Sequence, residues 1–504
     1  MALLTSIFKK DDPFNVWMKA AAPIAVLILI PLVILLQQFN TSLHGETTSQ
    51  PTPDMIANED AGDPGIGRLV VQSKAIIKFV YYYLDRADDS GRSAQRPFGD
   101  PDHPERMAGT AYISRDRANK ALKELGDYAV SRTDRFRTAI VAGELLGPKA
   151  AHDRLEALKQ EVSPGGALEA DISYLLPWYA KAAKGVFEPL PQDIQDTLID
   201  RHGWFAKLAI SHQRGAGDPM RWEVVSGAPG FLAFNALEGL WRGATLLLGV
   251  ILAIVTFIKI RGFEPAMVET DVERSVYAEA FAIFLLGFLI MDSVQVFVIG
   301  QVGAWSVFLG EALTWSASAA CLWPLLRGVS FQELRIDLGW TSGDGIGKEI
   351  GAGLLGYLVS LPMHYIYFYI VELVHVASGQ SGADDGIKYP LFPTPVGATW
   401  GIALLGVLGS CLWAPFFEET FCRGCLHRYL PSKLGIKGRV LITAVIFGSI
   451  HPYGPSGIID VALMGLVFGL LREWRGSLIA PMIAHFLTNA TIEVSDLVPV
   501  YLLH

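Results

Sequence analysis

Three groups of polar side chains stand out near the end of the chain because each is set in an apolar stretch. Glu418 and Glu419 lie in PFFEETFCRG, with Arg423 four residues after Glu419. His451 closes FGSIH, and His485 and Asn489 bracket HFLTN. Charged and imidazole groups are costly at membrane depth, so each one found there is a functional candidate. On a helix, Glu419 and Arg423 share a face in the favourable Glu-before-Arg order. Glu418 points about 100° away around the same helix. One carboxylate can therefore pair with Arg423 while the other faces a cavity and serves as a general base. Asn489 stands one turn beyond His485 on one face. Such a set can hold a water between carboxylate and imidazole, with Asn489 donating to a developing oxyanion. It could instead bind a divalent metal such as zinc through Glu418, His451 and His485. No compact H-E-x-x-H motif is present, which favours chemistry without a metal. Taken singly, E-E-x-x-x-R is a helix-end charge cluster and a lone His is a satisfied core residue. A carboxylate pair, two imidazoles and an amide on three helices of one bundle are harder to read that way.

Those side chains need helices to hold them. Hydrophobic residues make up 51% of the 504-residue chain and charged residues 18%, against about 25% charged in soluble domains. The apolar excess is concentrated in one N-terminal run, Ala20 to Leu36, and in a nearly continuous block from about residue 240. The N-terminal run is long for a signal peptide and lacks a small-residue cleavage site, so it reads as an uncleaved anchor. Its prolines, Pro23 and Pro31, are tolerable in a membrane helix. Further spans are expected at about 243–260, 275–299, 303–326, 350–375, 397–416, 439–451, 458–471 and 477–494, making about nine with the anchor. Gly465 and Gly469 form a G-x-x-x-G face that lets neighbouring helices approach.

The expected fold is all-α: a polytopic membrane bundle with an inserted extracytoplasmic α-helical domain. Residues 1–37 are the cytoplasmic N-terminus and anchor, 38–228 the linker and helical domain, and 229–504 the multi-pass domain. Lys and Arg cluster in loops that share one side under this count, above all Arg423, Arg428, Lys433, Lys437 and Arg439. They place the N-terminus and the motifs near the cytoplasm. Within 38–228, amphipathic patterns run from Arg68 to Arg86, with Val70, Ile77, Val80 and Tyr81 at helical spacing, and from Arg115 to Leu146. His103, His152, His202 and His212 lie in polar surroundings there and are expected at the surface. The formal net charge of −9 gives no electrostatic support for nucleic-acid binding. Cys321, Cys411, Cys422 and Cys425 lie in or beside apolar segments and suggest no disulfide framework. Cys422 and Cys425 lack the second C-x-x-C pair of a structural zinc site.

The three motifs in their order resemble those of the CPBP family of intramembrane proteases. EETFCRG resembles its E-E-x-x-x-R, FGSIH its F-x-x-x-H, and HFLTN its H-x-x-x-N. The stretch GLVFGLLREWRGSLIAPMIAH resembles the family's run into the last motif. The resemblance is close over about residues 395–495, and a protease core of about 270–495 is consistent with it. It does not touch residues 38–228. Relatives include the type II CAAX prenyl endopeptidases, which remove the last three residues of prenylated proteins at the cytosolic face. Bacteriocin-processing and immunity-linked (Abi) proteins are others. The resemblance implies an intramembrane endopeptidase, glutamate-dependent or metal-dependent, acting on membrane-associated protein or peptide substrates within the lipid bilayer, here a bacterial inner membrane. By motif position, Glu418 would activate the attacking water with His451. Glu419 and Arg423 would support the site, and His485 and Asn489 would stabilise the oxyanion. Asp292, Glu311, His364 and Glu372 are polar residues of the spans without a motif role; they could line a substrate path or pair with one another. The rival readings are a non-catalytic scaffold or immunity protein that keeps the fold, and a secondary transporter. A transporter often shows two related halves, and no second copy of the E-E or His motifs occurs.

Overall fold

The computed structural model describes residues 13–47, 69–70, 72–78, 80, 115–129, 131–212, 214, 217–259, 265–302, 315–378, 400–451 and 453–503. Among them every regular element is a helix and none is a strand. The chain divides into two compact units, one drawn from residues 1–44, 239–393 and 402–494, the other from 45–238, 394–401 and 495–504.

The first unit carries most of the apolar helical residues. Among the described residues four helical stretches are long and apolar enough to cross a membrane: Trp17–Leu35, Pro219–Lys259, Ile346–Val371 and Pro455–Arg475. Ser275–Ile290 is apolar but shorter. Together they fit a multi-pass membrane protein. Pro23 and Pro31 sit inside the first long helix without ending it. The unit's core gathers large side chains from several helices, with Phe284 stacked on Phe421 at 3.7 Å and Phe447 and Phe468 close by. The helices Gly435–Ser449 and Pro455–Arg475 pack closely through glycine. A Cβ at Gly465 would stand 3.1 Å from Ala444 Cα, and one at Gly469 would stand 3.1 Å from Val440 Cγ1. The G-x-x-x-G face therefore forms the contact expected of small residues between membrane helices.

The second unit is a bundle of shorter helices around Phe136, Ile140, Leu155, Ile172, Tyr179, Leu198 and Phe205. Ser131 caps one of its helices in a reciprocal box with Asp134, which satisfies two end donors. Val70, Ile77 and Val80 are buried, as their spacing requires; Tyr81 lies outside the described residues. The histidines correct the expectation. His152 is partly exposed, but His202 and His212 are buried, and His103 lies outside the described residues. Burial becomes tolerable because each ring meets a buried carboxylate: His202 Nε2 is 2.9 Å from Asp171, and His212 Nδ1 is 2.8 Å from Glu144. Arg201 and Arg221 pair with the same two carboxylates.

Candidate active site

Residues 400–429 run as successive helical segments with two wide, π-type turns, Gly409–Trp413 and Thr420–Leu426. Pro415 accounts for the first, since its ring clashes with the carbonyl four residues back and a widened turn relieves the clash. Gly424 lies in the second, where a Cβ would come 3.1 Å from Leu338. Between the two turns the regular segment Ala414–Glu419 carries both glutamates.

Glu419 and Arg423 are fully buried and paired, with Nη1 donating to Oε1 at 2.8 Å. Arg423 Nη2 donates to the Gly465 carbonyl at 3.0 Å. Its guanidinium lies 4.2 Å from the Phe447 ring centroid and 5.3 Å from that of Phe468, both within cation–π range. A Cβ at Gly465 would meet Arg423 Nη2 at 3.1 Å, so the same glycine that lets two helices approach also admits the arginine. His485 stacks on Phe468 at 5.1 Å, and its Nδ1 lies 3.1 Å from Glu419 Oε1.

Glu418 faces elsewhere, as the 100° offset requires. Its Oε2 makes no hydrogen bond within the protein. That atom lies 3.7 Å from His451 Nε2 and 4.0 Å from His485 Nε2. His451 follows the end of the Gly435–Ser449 helix. Its Nδ1 lies 2.6 Å from the Phe447 carbonyl, which makes Nδ1 the protonated nitrogen and turns Nε2 towards Glu418. Asn489 Nδ2 donates to the Ser410 carbonyl at 2.7 Å. An amide nitrogen carries two protons, so this bond fixes the amide and leaves the second N–H to a further acceptor.

The structure thus brings Glu418, Glu419, Arg423, His451 and His485 together, with Asn489 one turn along the His485 helix. Ser410 and Tyr453 join the same assembly without having been singled out by sequence. Ser410 holds Asn489 through its carbonyl and Glu493 through its hydroxyl at 2.7 Å. Tyr453 stacks on His451 at 5.6 Å. A polar residue inside an apolar run was the available sign for Ser410. His364 pairs with the buried Asp460 at 2.8 Å. Glu311 and the side chains of Asp292 and Glu372 lie outside the described residues. Among the described residues no group of three or more His, Cys, Asp or Glu side chains is placed to hold a metal ion, Glu418, His451 and His485 included. Cys422 and Cys425 are buried free thiols, as expected of apolar packing residues.

Residues 399–491 match the family model of the Rce1-like type II CAAX prenyl endopeptidases. The matched segment holds all six motif residues and agrees with the family resemblance carried by the motifs. No curated protein and no solved structure matches the chain.

Proposed function

Taking an Rce1-like domain at residues 399–491 as the premise, we propose that the protein is an intramembrane endopeptidase in which Glu418 is the general base. The observation that carries the reading is the gap between Glu418 Oε2 and His451 Nε2, 3.7 Å. With its Nδ1–H committed to the Phe447 carbonyl, neutral His451 offers a lone pair at Nε2, and an ionised Glu418 offers another at Oε2. Two acceptors at this separation repel directly, but one water can donate a proton to each at about 2.8 Å, which leaves its lone pair free for attack.

The water oxygen bonds to the scissile carbonyl carbon, and one water proton passes to Glu418. The oxyanion accepts from the second N–H of Asn489 and, when His485 carries a proton on Nε2, from that ring as well. Collapse of the intermediate breaks the C–N bond, and the proton held by Glu418 goes to the leaving amine. Glu419 and Arg423 hold His485 from behind. Membrane-associated proteins or peptides are the proposed substrates, by analogy with the matched family. The proposed arrangement has about nine spans. It places the N-terminus and the motifs near the cytoplasmic face of a bacterial inner membrane, with the domain of residues 38–228 outside.

The test compares new N- and C-termini in membranes expressing the wild type and Glu418→Gln. Cleavage products present only with wild type are the expected result. Identical termini from two folded, equally abundant proteins would favour a non-catalytic scaffold.

A further inference from the structure

The two wide turns in residues 400–429 share a feature. At the first, the Ala414 N–H reaches the Gly409 carbonyl, five residues back, and skips that of Ser410. The Ser410 carbonyl accepts Asn489 Nδ2. At the second, the His427 N–H reaches the carbonyls of Cys422 and Gly424 and skips that of Arg423. The Arg423 carbonyl accepts Nε of Arg472 at 3.1 Å. Each skipped carbonyl is thus taken by a side chain from another helix. Asn489 belongs to the motif set. Arg472 has no role assigned so far.

Arg472 is fully buried near the end of the Pro455–Arg475 helix. Its Nη2 donates to the Asp337 carbonyl at 2.9 Å, and its Nη1 to the Gly476 carbonyl. Three backbone carbonyls in three directions therefore take its donors, a pattern suited to a planar fork and poorly served by an ammonium. Gly339, at φ 79°, ends the Phe331–Leu338 helix beside it, and a Cβ there would overlap the guanidinium. The Gly339 carbonyl accepts the N–H of Leu478 at 2.8 Å, so the loop leading into the His485 helix is tied to the same point.

We propose that Arg472 is a positioning residue for the peptidase site: by capping the Arg423 carbonyl it locks the second wide turn and sets the direction in which Glu418 and Glu419 face His451 and His485. Arg472 touches no reacting atom. The consequence for rate rests on the proteolytic reading above; the consequence for the backbone does not.

The test uses the full chain in detergent and two variants. Arg472→Lys keeps a cation but loses the fork. Gly339→Ala leaves Arg472 in place but displaces its guanidinium. Two readouts are taken. One is amide hydrogen exchange over residues 420–429, with 275–290 and 346–371 as reference helices. The other is cleavage of a quenched fluorogenic peptide ending in a farnesylated cysteine motif. For Arg472→Lys, exchange over 420–429 rises about tenfold while the reference helices change less than about twofold, as loss of one charge-assisted hydrogen bond requires. Its kcat falls about tenfold or more with KM within about twofold, because the substrate-binding surface is intact and only the alignment is lost. Gly339→Ala shows the same pattern more weakly, and it decides the question if Arg472→Lys does not fold. Exchange that rises equally in all three segments, or in none, overturns the proposal, as does a loss of rate carried by KM alone. If the wild type leaves the peptide uncut, the proteolytic reading for that substrate fails, and the exchange data alone decide whether Arg472 locks the turn.

Discussion

Both units bury carboxylates against histidines at contact distance, as His427 and Glu473 do at 2.8 Å in the first, but the first unit also holds one carboxylate that stands off from its imidazoles. In the second unit, Glu144 meets His212 at 2.8 Å and Arg221 through its other oxygen. Asp171 meets His202 at 2.9 Å and Arg201 at 2.8 Å. Each pair is closed, with both carboxylate oxygens engaged. In the first unit, Glu419 is held by Arg423 and His485, while Glu418 Oε2 stands 3.7 and 4.0 Å from two imidazoles. The same residue types hold a fold together at contact distance. Across the gap beside Glu418 there is room for one small molecule, which is the basis of the proposed chemistry. Separation, more than residue type, distinguishes the two.

The largest effect is expected where the open pair is broken. Glu418→Gln should lower kcat about a thousandfold, since general-base catalysis contributes on that order, with no change in unfolding temperature; product formation followed by mass spectrometry reads it. An equal loss from Glu419→Gln would blur the distinction between base and support. In the closed set, Glu144→Leu should cost about 3 kcal/mol by leaving Arg221 buried without its carboxylate. Denaturant unfolding of the second unit, followed by its tryptophans, measures this cost, and cleavage rates should not change. A cost below about 0.5 kcal/mol, the usual range of surface substitutions, would mean that the pair is not structural.

Asn489→Ala should lower kcat about a hundredfold by removing an oxyanion donor, leaving KM nearly unchanged. Equal losses in binding and turnover would move Asn489 out of the transition state.

Acid should act on the closed pairs first. Burial by itself would raise the Glu144 carboxyl, but Arg221 and His212 overrule it and hold the group well below the usual carboxylate range. Its stabilising contribution is therefore present above an ordinary carboxylate value of about 4.3 and is lost as the pH falls below it. His202 works in the same direction, since burial holds its ring below the usual range despite Asp171. The unfolded chain then takes up that proton more readily, and stability declines below about pH 6.5. Resistance of the second unit to denaturant between pH 8 and 2 should fall in two stages, and the lower one should flatten in Glu144→Gln.

The smallest effect concerns packing at the open site. Gly465→Ala should cost about 1 kcal/mol by crowding Ala444 and Arg423, seen as a modest fall in both melting temperature and kcat.

What the sequence could reveal followed from distance along the chain. Glu419 and Arg423 share a turn, as do His485 and Asn489, and helical spacing alone placed each pair on one face. The buried histidines of the second unit escaped because Asp171 and Glu144 lie 31 and 68 residues away from them, beyond any periodic pattern. Asp460 is likewise 96 residues from His364. The wide turns were equally hidden, since residues 400–417 are apolar at nearly every position and a change of helical phase leaves no mark there. Arg472 is 49 residues from the Arg423 carbonyl that it meets, so spacing along the chain gives no sign of that contact.

The wide turns also bear on heredity. Each stores one residue more than a regular helix would use. Losing a single codon from either would therefore relax the turn to ordinary geometry and rotate all that follows by about 100°. In the first turn, such a deletion would swing Glu418 and Glu419 together relative to residues 400–408 without altering any motif letter. A reading frame that preserves every recognisable motif could in this way encode an inactive protein, and deletion scanning across 409–413 would expose this where alanine scanning would not.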